Sequence, residues 1–123
     1  MSDEITVNVS VRALKDYAKH DFVPGSFQDD WTTAIRGGHA QAIGFAADEI
    51  MDVGDVSTLG WSMWRNLDDS NFVEFGPTSG GVLIPFGRLY PGQMAVIPLS
   101  PSIVPRAQAD TAAVNLDFTV LAK

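Results

Sequence analysis

The chain has 123 residues, no cysteine and 46% hydrophobic residues, with 15 acidic against 8 basic side chains and a formal net charge of −7. Its length predicts one domain over 1–123. The absence of cysteine excludes disulfides and thiolate metal sites. The basic residues are few and scattered, which excludes the basic surface of a nucleic-acid binder. The acidic opening (Ser2-Asp3-Glu4) and the absence of a membrane-length apolar run predict a soluble, non-secreted protein without a membrane partner.

The first predicted element is segment 5–14 (ITVNVSVRAL), in which apolar and polar residues alternate. This period of two is typical of a half-buried strand. Segment 114–120 near the other end of the chain alternates in the same way. Because the first and last strands of a jelly roll can lie side by side, we expect 5–13 and 114–120 to be hydrogen-bonded neighbours.

Segment 15–38 follows and shows little alternation, although a short strand near 31–36 would fit. We predict a long irregular loop, and connections of this length are commonly functional. The segment holds four large aromatic residues, Tyr17, Phe22, Phe27 and Trp31. These side chains either cap the open end of the domain or form an interface with a partner, and both hypotheses stay open.

The rest of the chain contains short segments rich in strand-forming residues, about 8 to 12 residues apart and separated by turn-forming residues. No long helical periodicity interrupts them. The spacing therefore predicts an all-β fold, a jelly-roll-like antiparallel β-sandwich of about eight strands. The predicted strands are 41–51, 56–65, 72–75, 81–85 and 93–99.

Catalytic groups are sparse. We interpret the two histidines, His20 and His39, as surface side chains, and no serine stands in a Gly-x-Ser-x-Gly turn. A Ser–His–Asp site assembled across the fold stays open from sequence alone. We predict that the protein is not an enzyme and has no catalytic residue and no cofactor.

Carboxylates in two turns could supply oxygen ligands to a metal. They are Asp52 with Asp55, and Asp68 with Asp69 in the stretch WRNLDDSNFVEFG. Neither turn has the alternating acidic spacing and terminal Glu of a calcium loop, and carboxylates in turns usually bind their own backbone. We predict no metal site and interpret the stretch as a hairpin-like corner between two strands.

Trp61, Met63 and Phe75 could form a platform on which a sugar ring stacks. The alternation in LGWSMWRNL places Trp61 and Met63 on one strand face and Ser62 and Trp64 on the other. Large apolar side chains placed in this way are more often part of a core. We therefore interpret Trp61, Met63 and Phe75 as core residues.

A series of turns and strands runs through the chain from about residue 40 onward. It contains Gly54-Asp55 before a strand, the turn Asn66-Leu67-Asp68…Asn71-Phe72-Val73, the turn Leu89-Tyr90-Pro91-Gly92 and a final amphipathic strand over 114–121. This order resembles small virion proteins of tailed bacteriophages, whose recurrent pattern is a Gly-Asp before a strand, an Asn-Leu-Asp…Asn-(Phe/Tyr)-Val turn, a Leu-x-Pro-Gly turn and a final amphipathic strand.

The resemblance implies a jelly roll or related sandwich without an enzymatic site, located on the head exterior, the neck or the tail of a virion. We expect a capsid decoration (cement) protein that is made in the cytoplasm of a bacterial host, binds the major capsid protein or another virion protein, and forms a dimer or trimer. The alternatives are a neck or tail component and a carbohydrate- or receptor-binding sandwich module.

Overall fold

The computed structural model describes residues 4–37 and 40–123. Its contacts divide the chain into two units. We call residues 4–31 the arm and the unit from Thr32 onward the body, and describe each separately; one domain over 1–123 stays a prediction. Among the described residues there is no helix long and apolar enough to cross a membrane.

The arm is an antiparallel ribbon that runs out, turns at Asp16 and Tyr17, and returns. Two residues on the outgoing side and three on the returning side separate its two paired sections, so the returning side has one extra residue. Gly25, with a φ of 91°, lies at this bulge. The paired strands are β1 (Ile5–Asn8) with β4 (Ser26–Asp29), and β2 (Val11–Lys15) with β3 (Ala18–Phe22).

The ribbon corrects the prediction of an irregular loop over 15–38. β3 and β4 occupy much of that segment, and a short strand, β5 (Ile35–Arg36), follows in the body. β3 and β4 escaped prediction because nearly all of their side chains are exposed. Where neither strand face is covered, burial imposes no alternation of apolar and polar residues.

The body contains ten further strands. They are β6 (Ala40–Ile43), β7 (Glu49–Ile50), β8 (Leu59–Asn66), β9 (Val73–Gly76), β10 (Thr78–Ser79), β11 (Val82–Leu83), β12 (Gly87–Leu89), β13 (Met94–Pro98), β14 (Arg106–Ala109) and β15 (Val114–Ala122). β10 and β11 form a small hairpin of their own. The others, with β5, build two facing sheets.

The larger sheet has the order β13–β8–β15, with β5 and β6 both paired to the far side of β15, and the smaller sheet has the order β12–β9–β14–β7. All of these pairs are antiparallel. Without the short β5 and the β10–β11 hairpin, eight principal strands remain, and successive ones change sheet at each step except from β9 to β12. This order of eight principal strands is that of a jelly roll, and the predicted fold class is confirmed.

The predicted pairing of 5–13 with 114–120 is wrong. β1 and β2 pair within the arm, whereas β15 lies between β8 and the β5 and β6 pair. The last strand of the sandwich does lie beside its first, but that first strand is β6. Alternation of apolar and polar residues indicates that a segment is a strand, but it does not specify which strand that segment pairs with.

Trp64 lies at the centre of the core between the two sheets. Its ring centroid is 4.9 Å from that of Phe75 in the smaller sheet and 4.4 Å from that of Phe118 in β15. The indole N–H donates to Ser62 Oγ at 2.8 Å, and that hydroxyl donates to the Ile97 carbonyl at 2.8 Å. The core also includes Ile43, Met51, Val56, Leu59, Val73, Leu89, Val114, Leu116 and Val120.

The alternation correctly predicts which residues of β8 share a face, but the face predicted to lie in the core is the one that points outward. Ser62, Trp64 and Asn66 point into the core, while Trp61 and Met63 are half-buried on the opposite face. The interpretation of Trp61 and Met63 as core residues is therefore wrong, and that of Phe75 is correct, since it is buried. Hydrogen bonding lets the polar Ser62 and Asn66 lie inside.

Asp48 and Arg106 join three parts of the body through a half-buried ion pair. Arg106 Nη1 lies 2.6 Å from Asp48 Oδ1, and Arg106 Nε donates to Thr78 Oγ1 at 2.9 Å. Asp48 Oδ2 accepts the Leu83 N–H at 2.9 Å. That hydrogen bond, followed by the Arg106 guanidinium, holds the pKa of Asp48 below its usual value.

We expect Asp48→Asn to lower the free energy of unfolding at pH 7 by about 2 kcal/mol, because Arg106 loses its charged partner. Since the folded-state pKa of Asp48 is depressed, the stabilisation is present above the unfolded-state pKa of about 4 and is lost as the pH falls through the folded-state pKa. Urea unfolding of both proteins at several pH values measures the difference. The exposed Asp55→Asn is the control, and a difference that stays constant down to pH of about 2 would contradict the assignment.

Candidate functional site

The carboxylate-rich corner 66–71 carries the chain from β8 in the larger sheet to β9 in the smaller sheet. The two strands do not pair with each other, so this is a corner between sheets and not a hairpin. Asn66 is fully buried, and its Nδ2 donates to the carbonyls of Asn71 and Leu89, both at 2.9 Å. Its Oδ1 accepts the Asp68 N–H at 2.8 Å. The amide side chain of Asn66 therefore fixes the path of the corner.

The carboxylate of Asp68 is engaged by the backbone of the same turn. Its Oδ2 accepts the Asn71 N–H at 2.6 Å and the Ser70 N–H at 3.0 Å. These two hydrogen bonds, the one from Asn71 first, lower the pKa of Asp68. Asp68 thus caps a turn, as the structural interpretation of the stretch requires.

The described residues do not bring the predicted chemical groups together. They contain no cluster of three or more His, Asp or Glu side chains able to hold a metal ion. His20 lies exposed in β3 of the arm, and His39 lies outside the described residues. Asp52 Oδ2 accepts from Arg36 Nη2 at 2.9 Å, so its carboxylate is paired with a cation.

A cavity of about 230 Å³ opens beside the aromatic core of the body. Side chains of Trp64, Phe75, Phe86, Ile97, Leu99 and Ile103 form most of its wall, and none of its lining residues is titratable. The cavity offers space for an apolar group and no acid, base or nucleophile beyond the hydroxyl of Ser100.

The four aromatic residues singled out in the sequence all belong to the arm. Tyr17 is fully exposed at the turn between β2 and β3, while Phe22 and Phe27 are 53% and 54% exposed. Trp31 is half-buried at the end of the arm. Side chains with half or more of their surface in water are not core residues, so the first three support the interface hypothesis.

Phe22 and Phe27 each lie beside an aliphatic residue of the neighbouring strand. Phe22 lies opposite Val11 and Phe27 lies opposite Val7 in the strand register. The other side of the β2–β3 section carries Leu14, Lys19 and an ion pair in which Arg12 Nε lies 3.1 Å from Asp21 Oδ1. We call the two cross-strand pairs, Val7 with Phe27 and Val11 with Phe22, the apolar side of the arm. Within the arm, a single layer of two strands provides no second layer to cover it.

A second exposed apolar surface lies on the body. The strands of the larger sheet direct one set of side chains into the core and the other set outward. We call the outward set the outer face. It consists of Met94, Val96 and Pro98 in β13, of Trp61, Met63 and Arg65 in β8, of Asn115, Asp117, Thr119 and Leu121 in β15, and of Ile35, Ala40 and Ala42 beyond β15.

Comparison of the chain with protein-family models, with curated proteins and with solved structures finds no match.

We expect Asn66→Ala to lower the free energy of unfolding by about 2 to 3 kcal/mol, because the carbonyls of Asn71 and Leu89 lose their donor in a buried place. Asn115→Ala removes the same side chain from an exposed position in β15 and should change stability by less than about 0.5 kcal/mol. Chemical denaturation measures both. Equal losses in the two variants would show that Asn66 does not hold the corner.

We expect chelation to leave the melting temperature unchanged, since the corner carboxylates are satisfied by backbone N–H groups and no metal is expected to stabilise the fold. Calorimetry of the protein with and without EDTA tests this, with added calcium as the reverse experiment. A fall of several degrees on adding EDTA would contradict the structural interpretation of the corner.

Proposed function

We propose that this chain is a structural protein of a bacteriophage virion, a capsid decoration (cement) protein that binds the major capsid protein and stabilises the head. It works through surfaces and has no catalytic activity. The observation that carries the proposal is the exposed apolar side of the arm, attached to a jelly-roll body. The resemblance to small virion proteins supports the choice of partner.

The arm has the properties of a docking element. Covering the exposed half of one aromatic ring, about 100 Å², contributes about 2.5 kcal/mol. Two such rings, Phe22 and Phe27, lie on the apolar side, and Tyr17 projects at the turn. A ribbon can also pair its outer strand edges with a strand of the partner. In this proposal the arm provides the affinity for the capsid protein, and the body covers the adjoining shell.

Two alternatives concern other partners. A neck or tail component would use the same arm on a different virion protein. A carbohydrate- or receptor-binding module would need an open aromatic platform. Tyr90 and Phe72 could form one, but the Arg88 guanidinium lies 3.9 Å from the centroid of the Phe72 ring and donates to Tyr90 Oη at 3.3 Å. Arg88 therefore occupies the space where a sugar would stack.

We expect Phe22→Ala to weaken binding to heads that lack this chain by about thirtyfold, which corresponds to about 2 kcal/mol. Tyr17→Ala should act in the same direction. Neither change should lower the melting temperature by more than about 2 °C, because the side chains are exposed. Co-sedimentation with purified heads measures binding, and calorimetry measures melting.

Phe86→Ala is the matched control, because Phe86 is an aromatic side chain of the body that is 71% exposed. It should leave head binding unchanged. Equal losses for Phe86→Ala and Phe22→Ala would contradict the role of the arm. Binding to isolated necks or tails in place of heads would favour the neck or tail alternative.

A further inference from the structure

The outer face of the larger sheet is unusually apolar for a surface exposed to water. In a two-layer antiparallel sandwich, the face directed away from the core is normally polar. Here Met94 is 64% exposed and Val96 is 47% exposed, and both lie beside the half-buried Met63. A shallow depression of about 230 Å³ lies among these three side chains and those of Arg65, Asp117 and Thr119.

The strand register arranges the outer face in three rows that run across the sheet, beyond the shorter pair of Asn115 and Ala42. The first row holds Met94, Arg65, Asp117 and Ala40, which are paired in adjacent strands. The middle row holds Val96, Met63 and Thr119. The third row consists of two pairs, Pro98 with Trp61 and Leu121 with Ile35, and at this level β15 has an irregularity between Val120 and Ala122. The charges thus lie in the first row, and the other two rows are largely apolar.

The two charges lie directly opposite each other in the register of β8 and β15. Among the described residues, neither the Arg65 nor the Asp117 side chain makes a salt bridge, although five other ion pairs form there. A positive and a negative charge side by side on one face make that face complementary to a second copy of itself.

We propose that two copies of this chain pack their outer faces together across a two-fold axis. The axis runs parallel to the strands and lies between β8 and β15. Rotation about it places β8 of one copy over β15 of the other and keeps every row at its own height. Arg65 then faces Asp117 of the second copy, Met63 faces its Thr119, and Met94 faces its Ala40.

The size of the face sets the expected strength of the dimer. Four strands about 4.8 Å apart and three rows about 7 Å apart give a footprint of about 400 Å² per copy. A stable interface buries about 800 Å² per partner. The dimer should therefore be weak in solution, with a dissociation constant in the range of about 10 to 1000 μM, and should form readily where copies are concentrated side by side.

Sedimentation equilibrium of the full chain from about 1 μM to about 1 mM tests the proposal. The weight-average mass should rise from 13.2 kDa toward twice that value. Val96→Asp should raise the dissociation constant at least tenfold. Val82→Asp, at an apolar position of β11 that is 52% exposed, should leave it unchanged. A monomer at every concentration, a trimer, or equal effects of the two variants would overturn the proposal.

A charge exchange tests the geometry. Arg65→Asp and Asp117→Arg should each weaken the dimer by about tenfold, and the double variant should restore it, because both charges change places across the axis. Failure of this rescue would overturn the two-fold arrangement. The proposal does not rest on the arm: Phe22→Ala should leave the dimer intact. Loss of the dimer in Phe22→Ala but not in Val96→Asp would overturn the proposal without deciding whether the arm binds heads.

Discussion

The indole of Trp64 occupies the space between the two sheets of the body, and the arrangement of both sheets depends on it. The ring contacts Phe75 across the sandwich and Phe118 beside it, so one side chain bridges the layers. An indole can be buried in this way only if its N–H is satisfied. Ser62, two residues earlier on the same face, accepts that N–H and passes a hydrogen bond to Ile97 in β13. These hydrogen bonds thereby fix which face of β8 points into the core.

That orientation has a consequence for the opposite face of β8. With Ser62, Trp64 and Asn66 directed inward, the apolar Trp61 and Met63 must point outward. The same sheet presents Met94 and Val96 from β13 on that side. The inner face of β8 thus contains polar residues that form hydrogen bonds inside the core, and its outer face carries apolar side chains at the surface. An apolar outer face and an apolar ribbon are both typical of proteins that work by association.

The sequence predicts the architecture of the body well because burial on one face imposes alternation, which is clear in β8 and β15. It does not predict pairing partners, which is why the expected pairing of 5–13 with 114–120 is wrong. It fails for β3 and β4, whose exposed side chains carry no pattern. The aromatic residues of the arm were recognised from composition alone, whereas the outer face required knowing which side of β8 the core occupies.

The position of β15 in the larger sheet bears on how the protein is made. β15 pairs with β8 on one side and with β5 and β6 on the other, and so joins strands that are translated long before it. Until this segment has emerged from the ribosome, β6 and β8 each keep an edge without its partner strand. The strands of the arm pair with close neighbours in the sequence and do not depend on β15. Pairing over such a long sequence distance is slow, and strand edges that stay unpaired in the meantime are prone to aggregation.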